Sequence, residues 1–166
     1  DGPNAIRYAR GGAPERHDLP GVENEHTPVE FGKMETLRSG TDGAILAYGH
    51  MVQTALDAAE ELAEAGLSIE VINARWAKPL DEEGILSGCN RHDKVLTLED
   101  HTVMGGFGSA VLELCAQRGP VRAQVQLLGI SDAFLEHASR NEVLQAQGLD
   151  AKGVAARFHA GRPAKV

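Results

Sequence analysis

One segment of the chain carries the residue types of a phosphate-binding or catalytic loop. It begins at Glu99 and reads EDHTVMGGFGSA, so two acids and a histidine precede a cluster of glycines. Carboxylates and imidazoles serve as general acids and bases. Glycine-rich loops at the start of a helix bind phosphate through backbone N–H groups. The residue types of this segment therefore suggest two kinds of chemistry, proton transfer and phosphate binding.

The spacing within this segment favours a structural role. The pattern G-G-x-G differs from the dinucleotide pattern G-x-G-x-x-G, no Walker lysine follows it, and Glu99 and Asp100 would repel a pyrophosphate. We interpret Gly105, Gly106 and Gly108 as allowing a tight turn and close helix-on-sheet packing, with the acids capping or pairing locally. His101 is interpreted as a loop histidine, since no nucleophile is spaced to form a triad with it. The competing interpretation is a ligand site at the carboxyl ends of parallel strands.

The other reactive side chains give no pattern of a site. Cys89 and Cys115 are the only cysteines, and both lie among apolar residues of predicted helices, which is typical of buried reduced thiols. The seven histidines include no pair with the short spacing of a zinc site. We therefore expect no metal in this chain.

The composition is typical of one soluble globular domain. The chain has 166 residues, of which 42% are hydrophobic and 24% charged, enough for one buried core but not for two. Its net charge of −8, without a basic run, argues against a nucleic-acid partner. No apolar run reaches the roughly 20 residues that a membrane span requires. We expect a cytoplasmic protein with neither nucleic acid nor membrane as partner.

Strand and helix patterns alternate from about Val29 onward. Apolar runs typical of strands that are covered on both faces occur at residues 44–48, 67–72, 94–98 and 123–128. Helices are predicted at residues 52–63, from the N-cap Asp81 to Cys89, and at residues 106–118, 141–147 and 150–160. Such a repeat forms a parallel sheet with right-handed crossovers. The sequence predicts an α/β fold in three layers, a mostly parallel sheet with helices on both faces.

The first 30 residues differ from the rest. Four of the seven prolines fall within residues 1–28 among several glycines, which is typical of a linker. Residues 5–8 are strand-like but have no neighbouring strand in the sequence. The chain also starts without an initiator methionine or a secretory leader, as expected of a piece of something longer. We predict that residues 1–10 end a preceding domain, 11–30 are a linker and 31–166 form the folded domain.

Four segments match the motifs of one enzyme family. They are NAIRYARG near the start, NARWAKPLD at 73–81, EDHTVMGGFGSAVLE from Glu99, and GISDAFLEHASRNEVLQAQGLDAKGV at 129–154. Together they resemble the 1-deoxy-D-xylulose 5-phosphate synthase family. The last segment discriminates best, because the whole transketolase-like superfamily shares versions of R-x-x-K-P-L-D and of the glycine segment. Ala9 and Ser131 stand where that family usually has proline, and Ala138 where it has glycine.

The resemblance implies a thiamine diphosphate enzyme of three domains. Such a transferase condenses pyruvate with glyceraldehyde 3-phosphate to 1-deoxy-D-xylulose 5-phosphate and carbon dioxide, on the methylerythritol phosphate route to isoprenoids and toward thiamine. Residues 1–10 would then be the final strand of the pyrimidine-binding domain, and 31–166 the transketolase C-terminal-like domain. We expect thiamine diphosphate and Mg²⁺ to be bound by parts of the enzyme that this chain lacks. The fragment alone would be inactive, with no catalytic residue, and its partners would be the N-terminal domains and a second copy in a homodimer.

One substrate contact carries over from the resemblance. Arg10 matches the arginine of the family's Y-P-R-G motif, which binds the phosphate of glyceraldehyde 3-phosphate. A guanidinium offers forked donors to phosphate oxygens and stays charged at any working pH. Arg7 and Arg10 would point to opposite faces of a regular strand, so we assign the phosphate to Arg10 alone.

Two other interpretations stay open. The chain could be the C-terminal domain of another transketolase-like enzyme, such as transketolase or the β-subunit of a 2-oxo acid dehydrogenase. It could also be a flavodoxin-like binding or assembly module without a catalytic role. Such a module would pair residues 5–10 within its own sheet and hold a ligand near residues 48–50 or 99–101. The apolar helix faces after Met51 and Phe107 are our candidates for subunit contacts.

Overall fold

The computed structural model describes Pro3 and residues 28–160, and the latter form an α/β domain. The strands are β1 (Glu35–Arg38), β2 (Gly43–Ala47), β3 (Ile69–Asn73), β4 (Lys94–Thr102) and β5 (Gln124–Ile130). The helices are α1 (Met51–Glu64), α2 (Glu82–Arg91), α3 (Phe107–Arg118), α4 (Arg140–Ala146) and α5 (Ala151–His159). None of the helices within residues 28–160 is long and apolar enough to cross a membrane.

The five strands form one sheet in the order β1-β3-β2-β4-β5. Neighbours from β3 to β5 are parallel, and β1 alone pairs antiparallel, with β3. Parallel neighbours cannot be joined by a hairpin, so helices carry the chain between them. The predicted fold class is confirmed, because the sheet is mostly parallel and is covered on both faces.

Two apolar clusters pack on opposite faces of this sheet. One holds Ile45, Leu96 and Leu128 together with buried residues of α1, α4 and α5. The other holds Leu46 and Val95 with buried residues of α2 and α3. Successive strand residues point to opposite faces, so the two clusters draw on alternate positions of the same strands. The result is three layers, helices–sheet–helices.

The predicted elements are confirmed with two differences. The sequence analysis missed β1, whose four residues, ETLR, carry two charges and contain no apolar run. The third predicted strand was too short, because β4 continues to Thr102, which pairs with Ile130 after an irregularity that begins at Leu98. Glu99 therefore lies on a strand, not in the loop that the glycines suggested.

The apolar stripe of α1 is buried within the domain. Met51, Ala55 and Leu62 have no exposed surface, and the cluster that contains them also contains Phe158 of α5. The face after Met51, which we considered for subunit contacts, is thus covered by this chain itself. On α3, Phe107 is 4% exposed, whereas Leu112 is 40% exposed.

A buried lysine closes the C-terminus of α5. Lys94, 9% exposed, donates to the backbone carbonyls of Arg157 (2.9 Å), Phe158 (2.7 Å) and Ala160 (2.6 Å). Its ammonium also lies 5.2 Å from the centre of the Phe158 ring. The last carbonyls of a helix lack intrahelical donors and carry partial negative charge. Lys94 supplies those donors, so β4 and α5 are joined by more than apolar contact.

Asp81 caps the N-terminus of α2, as predicted from the sequence. Its carboxylate accepts from the N–H groups of Gly84 (3.1 Å) and Met34 (3.1 Å), and the ammonium of Lys33 lies 3.5 Å away. Burial acts to raise the pKa of Asp81. The two N–H groups and Lys33 outweigh it, so the pKa lies below its usual value. The ionised carboxylate thus fastens α2 to the segment before β1.

We expect Asp81→Asn to destabilise the domain by about 1–2 kcal/mol at neutral pH. Because the folded-state pKa is lowered, the contribution of Asp81 is present above its unfolded pKa of about 4 and is lost as the pH falls through the lower folded value. Urea unfolding at pH 7 and at decreasing acidic pH measures the difference between the two proteins, which should shrink below about pH 4. Glu83→Gln, in the same helical turn but 88% exposed, is the control and should change little. A difference independent of pH would contradict this account.

Candidate functional site

The carboxyl ends of the parallel strands β2 to β5 lie together at one edge of the sheet. The chain runs from β2 to β3 on one side and returns to β4 on the other side of β2. Ligands of open α/β sheets bind outside the carboxyl ends of the strands at such a reversal of strand order. Residues 48–50 follow β2. Residues 99–106 include the last residues of β4 and the turn that leads to α3. Both predicted candidate segments therefore lie at this reversal.

The carboxylate of Glu99 is bound by the start of α3. One oxygen accepts from the N–H of Phe107 and the other from the N–H of Gly108, each at 2.8 Å. Glu99 is only 2% exposed. The first N–H groups of a helix are the donors that a phosphate would use. In this domain the protein's own carboxylate occupies them.

The glycines bring α3 close to the sheet. A Cβ at Gly106 would collide with the Glu99 carboxylate and the Thr102 carbonyl, and one at Gly108 would collide with side chains of β4 and β5. Gly105 has a φ of +70°, which favours glycine in the turn. This geometry confirms the structural interpretation of the glycines and the expectation that an acid caps locally.

The two residues after Glu99 also make local contacts. Asp100 forms an ion pair of 2.8 Å with Arg140, the first residue of α4. His101 is exposed, and its Nδ1 lies 3.1 Å from the carbonyl of Thr102. Within residues 28–160, neither side chain is paired with a nucleophile. Asp100 therefore fastens α4 to the sheet, as expected of a locally paired acid. His101 lies on β4 and not in the predicted loop, because β4 continues to Thr102.

An aromatic pair fills the space at the reversal of strand order. The ring of Tyr48 stacks on that of Phe107, with centroids 5.3 Å apart and an interplanar angle of 16°. Tyr48 also donates its N–H to the carbonyl of Leu98 at 2.9 Å. A shallow cavity of about 240 Å³ lies elsewhere, between α1, α4 and α5. Near residues 48–50, where a free-standing binding module would hold its ligand, the described residues place this aromatic pair.

Arg75 is the functional candidate that the sequence analysis missed. It follows β3 at the carboxyl edge, with a φ of +56°, and no other described non-glycine residue has a positive φ. Its guanidinium forms an ion pair with Glu35 of β1 and is 26% exposed. Backbone strain in a non-glycine residue costs free energy and is common at ligand sites. The signal in the sequence was the arginine of R-x-x-K-P-L-D, which spacing alone could not separate from a surface charge.

The described residues do not fit a thiamine diphosphate or magnesium site. Among them, no group of three or more His, Cys, Asp or Glu residues is arranged to hold a metal. The start of α3 is occupied by Glu99. Cys89 and Cys115 are buried free thiols, as expected, and burial together with the nearby Cys115 raises the pKa of Cys89 to about 12. These thiols are therefore protonated and unreactive at neutral pH.

Arg10, the predicted phosphate ligand, lies outside the described residues, as does Arg7. Its role stays a prediction, and so do the boundaries at residues 10 and 30. The structure describes the domain that follows these residues.

Comparison with known proteins assigns this domain. Residues 32–154 match the family model described as transketolase, C-terminal domain. The chain belongs to the transketolase C-terminal domain family. This match covers every strand and helix from β1 to α4 and the start of α5. The glycine turn capped by Glu99 and the Arg75–Glu35 pair both lie within the matched residues.

Relatives with curated names are similar along nearly the whole chain. The chain is 39% identical over 165 residues to the 1-deoxy-D-xylulose-5-phosphate synthases of Bacillus cereus (strain AH187) and Bacillus anthracis (strain A0248). These alignments cover 99% of the chain but only 26% of each relative. The chain therefore spans about a quarter of the length of the proteins it resembles.

Solved structures share the fold. A split gene transketolase, described as an inactive beta4 tetramer, superimposes with a TM-score of 0.75 at 33% identity, over 84% of this chain and 45% of that one. A mutant transketolase from Pichia stipitis gives a TM-score of 0.56 at 20% identity, over 76% and 17%. The second likeness supports the fold of the transketolase C-terminal domain alone.

The capping role of Glu99 predicts the effect of removing its charge. Glu99→Gln replaces one acceptor oxygen by an NH₂ group, which then faces a backbone N–H, so we expect destabilisation of about 1–3 kcal/mol in urea unfolding. Glu113→Gln, at an exposed position of α3, is the matched control and should stay within about 0.5 kcal/mol of the wild type. Equal stability of the two variants would mean that the cap is unimportant.

Proposed function

We propose that this chain is the C-terminal part of a 1-deoxy-D-xylulose 5-phosphate synthase. The observation that carries the proposal is the 39% identity over 165 residues to enzymes of that name, which includes both terminal segments as well as the domain core. The complete enzyme would be a thiamine diphosphate-dependent transferase that acts on pyruvate and glyceraldehyde 3-phosphate. A cytoplasmic location is part of the same proposal.

Within that enzyme the described domain acts as a scaffold and not as the cofactor site. The N–H groups at the start of α3 are already bound by Glu99. Thiamine diphosphate and Mg²⁺ would therefore be held by the remaining three quarters of the enzyme. We retain the predicted division into a last strand of the pyrimidine-binding domain at 1–10, a linker at 11–30 and this domain from 31 onward.

The chain's own contribution to substrate binding is a guanidinium. Arg10 would bind the phosphate of glyceraldehyde 3-phosphate, since forked N–H donors match phosphate oxygens and hold the aldehyde in one orientation. Arg75 is the described guanidinium best suited to support it. The ion pair with Glu35 holds the Arg75 guanidinium at the carboxyl edge, and the backbone of Arg75 is strained by its positive φ.

We also propose that the complete enzyme is a homodimer. The support is the resemblance itself. The alternative of a free-standing binding module is less well supported, because Tyr48, Phe107 and Glu99 fill the crevice in which its ligand would lie.

Cofactor binding tests the assignment. We expect thiamine diphosphate with Mg²⁺ to leave the melting temperature of this chain unchanged and to raise that of a longer polypeptide that includes the preceding domains. A ligand at about 100 times its dissociation constant stabilises its protein by about 2.7 kcal/mol, which thermal unfolding readily detects. Stabilisation of this chain alone would contradict the proposal, and so would its absence in the longer polypeptide.

The phosphate role of Arg10 predicts a selective kinetic defect. In the complete enzyme, Arg10→Ala should raise the KM for glyceraldehyde 3-phosphate by about 10- to 100-fold, the value of one or two charged hydrogen bonds. The KM for pyruvate should scarcely change. Arg7→Ala is the matched control and should leave both constants near those of the wild type. An equal loss for the two substrates would rule out the phosphate role.

A further inference from the structure

The two edges of the sheet differ in how they are protected. The edge strand β1 has four residues, carries Glu35 and Arg38, and pairs irregularly between Thr36 and Arg38. Short length, charge and irregular pairing are the usual means by which proteins prevent an edge from pairing with another chain. β5, the edge strand on the other side, has seven residues, QVQLLGI, without charge or proline. β5 is thus longer than β1 and neutral, and where its pairing with β4 is irregular, between Leu98 and Thr102, the extra residues belong to β4.

The outer side of β5 offers a row of backbone groups. The N–H of Gln124 donates to the carbonyl of Asp93, just before β4, and the carbonyl of Ile130 accepts from the N–H of Val103, just after β4. Alternate residues of a strand direct their backbone groups to opposite sides. Val125, Leu127 and Gly129 therefore direct their N–H and C=O groups away from the sheet. Within residues 28–160, no further strand pairs with them.

We propose that the outer edge of β5 pairs antiparallel with β5 of a second copy of this chain, joining the two sheets into one. This inference rests on the homodimer proposed above and identifies its surface. A two-fold axis through Leu127 places Leu127 opposite itself and Val125 opposite Gly129 of the copy. These are the residues whose N–H and C=O groups face outward, so the register satisfies them in pairs.

The charges that flank β5 favour a second copy as the occupant. In the same register Arg122, which is 59% exposed and paired with Asp93 of its own chain, lies opposite the exposed Asp132 of the copy. The two-fold axis repeats this pair at the other end of the strand. The chain carries a net charge of −8, so most of its surface repels a second copy. The edge of β5 is neutral along its length and complementary at its ends.

Exposed apolar side chains border the same edge. Phe134 is fully exposed and Leu135 is 42% exposed, in the segment that leaves β5, and Leu112 is 40% exposed on α3, which packs over β4 and β5. The segment that presents Phe134 is held at both ends. Ser131 hydrogen-bonds Gln147, and Ser139 forms a capping box with Glu142. Apolar groups on an ordered surface are typical of contact sites.

Sedimentation velocity of the 166-residue chain over a concentration series tests the proposal. We expect a reversible dimer of twice 17.7 kDa. Arg122→Glu should weaken association by about 10- to 100-fold, because it places two acids opposite each other at both ends of the strand. Asp132→Arg should have the same effect, and the double variant with both substitutions should restore association to near the wild-type value.

Two controls separate this surface from general effects. Arg118→Glu also removes an exposed arginine that forms an ion pair, with Glu82, but lies off the edge and should leave the dimer unchanged. Phe134→Ser should weaken association, whereas Phe31→Ser, at an exposed position (72%) outside the β5 edge, should not. A chain that stays monomeric overturns the proposal. A dimer that Arg122→Glu does not weaken, or that the double variant does not restore, overturns the surface and leaves the homodimer standing. Neither result bears on cofactor binding, which the thermal-unfolding experiment measures separately.

Discussion

The domain depends on the bond between a buried carboxylate and the first amides of a helix. Glu99 lies on β4, and both of its carboxylate oxygens accept from N–H groups, those of Phe107 and Gly108. Its side chain is 2% exposed. A buried carboxylate without partners would cost several kcal/mol, so its position and that of α3 are fixed together. Gly106 and Gly108 are required because a Cβ at either position would collide with β4 or its carboxylate. The contact therefore requires the acid on β4, the glycine turn and the close packing of α3 on the sheet.

This contact also determines what the domain cannot do. Open α/β sheets bind anions where helix N-termini and strand ends converge. In this chain Glu99 occupies those donors, and the stacked rings of Tyr48 and Phe107 fill the neighbouring space. The consequence is a domain with the architecture of a nucleotide-binding fold in which the chain's own carboxylate already binds the usual anion donors. The groups that we propose to be functional lie instead at its borders, with Arg75 at the carboxyl edge and the neutral strand β5 at the side.

The sequence predicted those parts of the structure that depend on residues close together in the chain. The stripe of α1, the cap at Asp81 and the local role of the acids near the glycines each depend on residues a few positions apart. β1 was missed because ETLR has no pattern of its own and becomes a strand only by pairing with β3, more than 30 residues away in the chain. Arg75 was missed for the same reason, since its strained backbone and its ion pair with Glu35 arise from tertiary structure.

The positions of the charged residues explain how the surface of the domain can recognise a partner specifically. Apart from Glu70, which pairs with Arg91 and His92, the buried charges of this domain close helix ends: Lys94 at the end of α5, Asp81 at the start of α2 and Glu99 at the start of α3. Each is satisfied by backbone groups of the same chain, so none is available for a ligand or partner without unfolding an element. Recognition is therefore left to charges on the surface, where desolvation is small and single pairs are weak. A surface of this kind gains specificity from repetition, and a two-fold axis through Leu127 would make every favourable pair along β5 count twice.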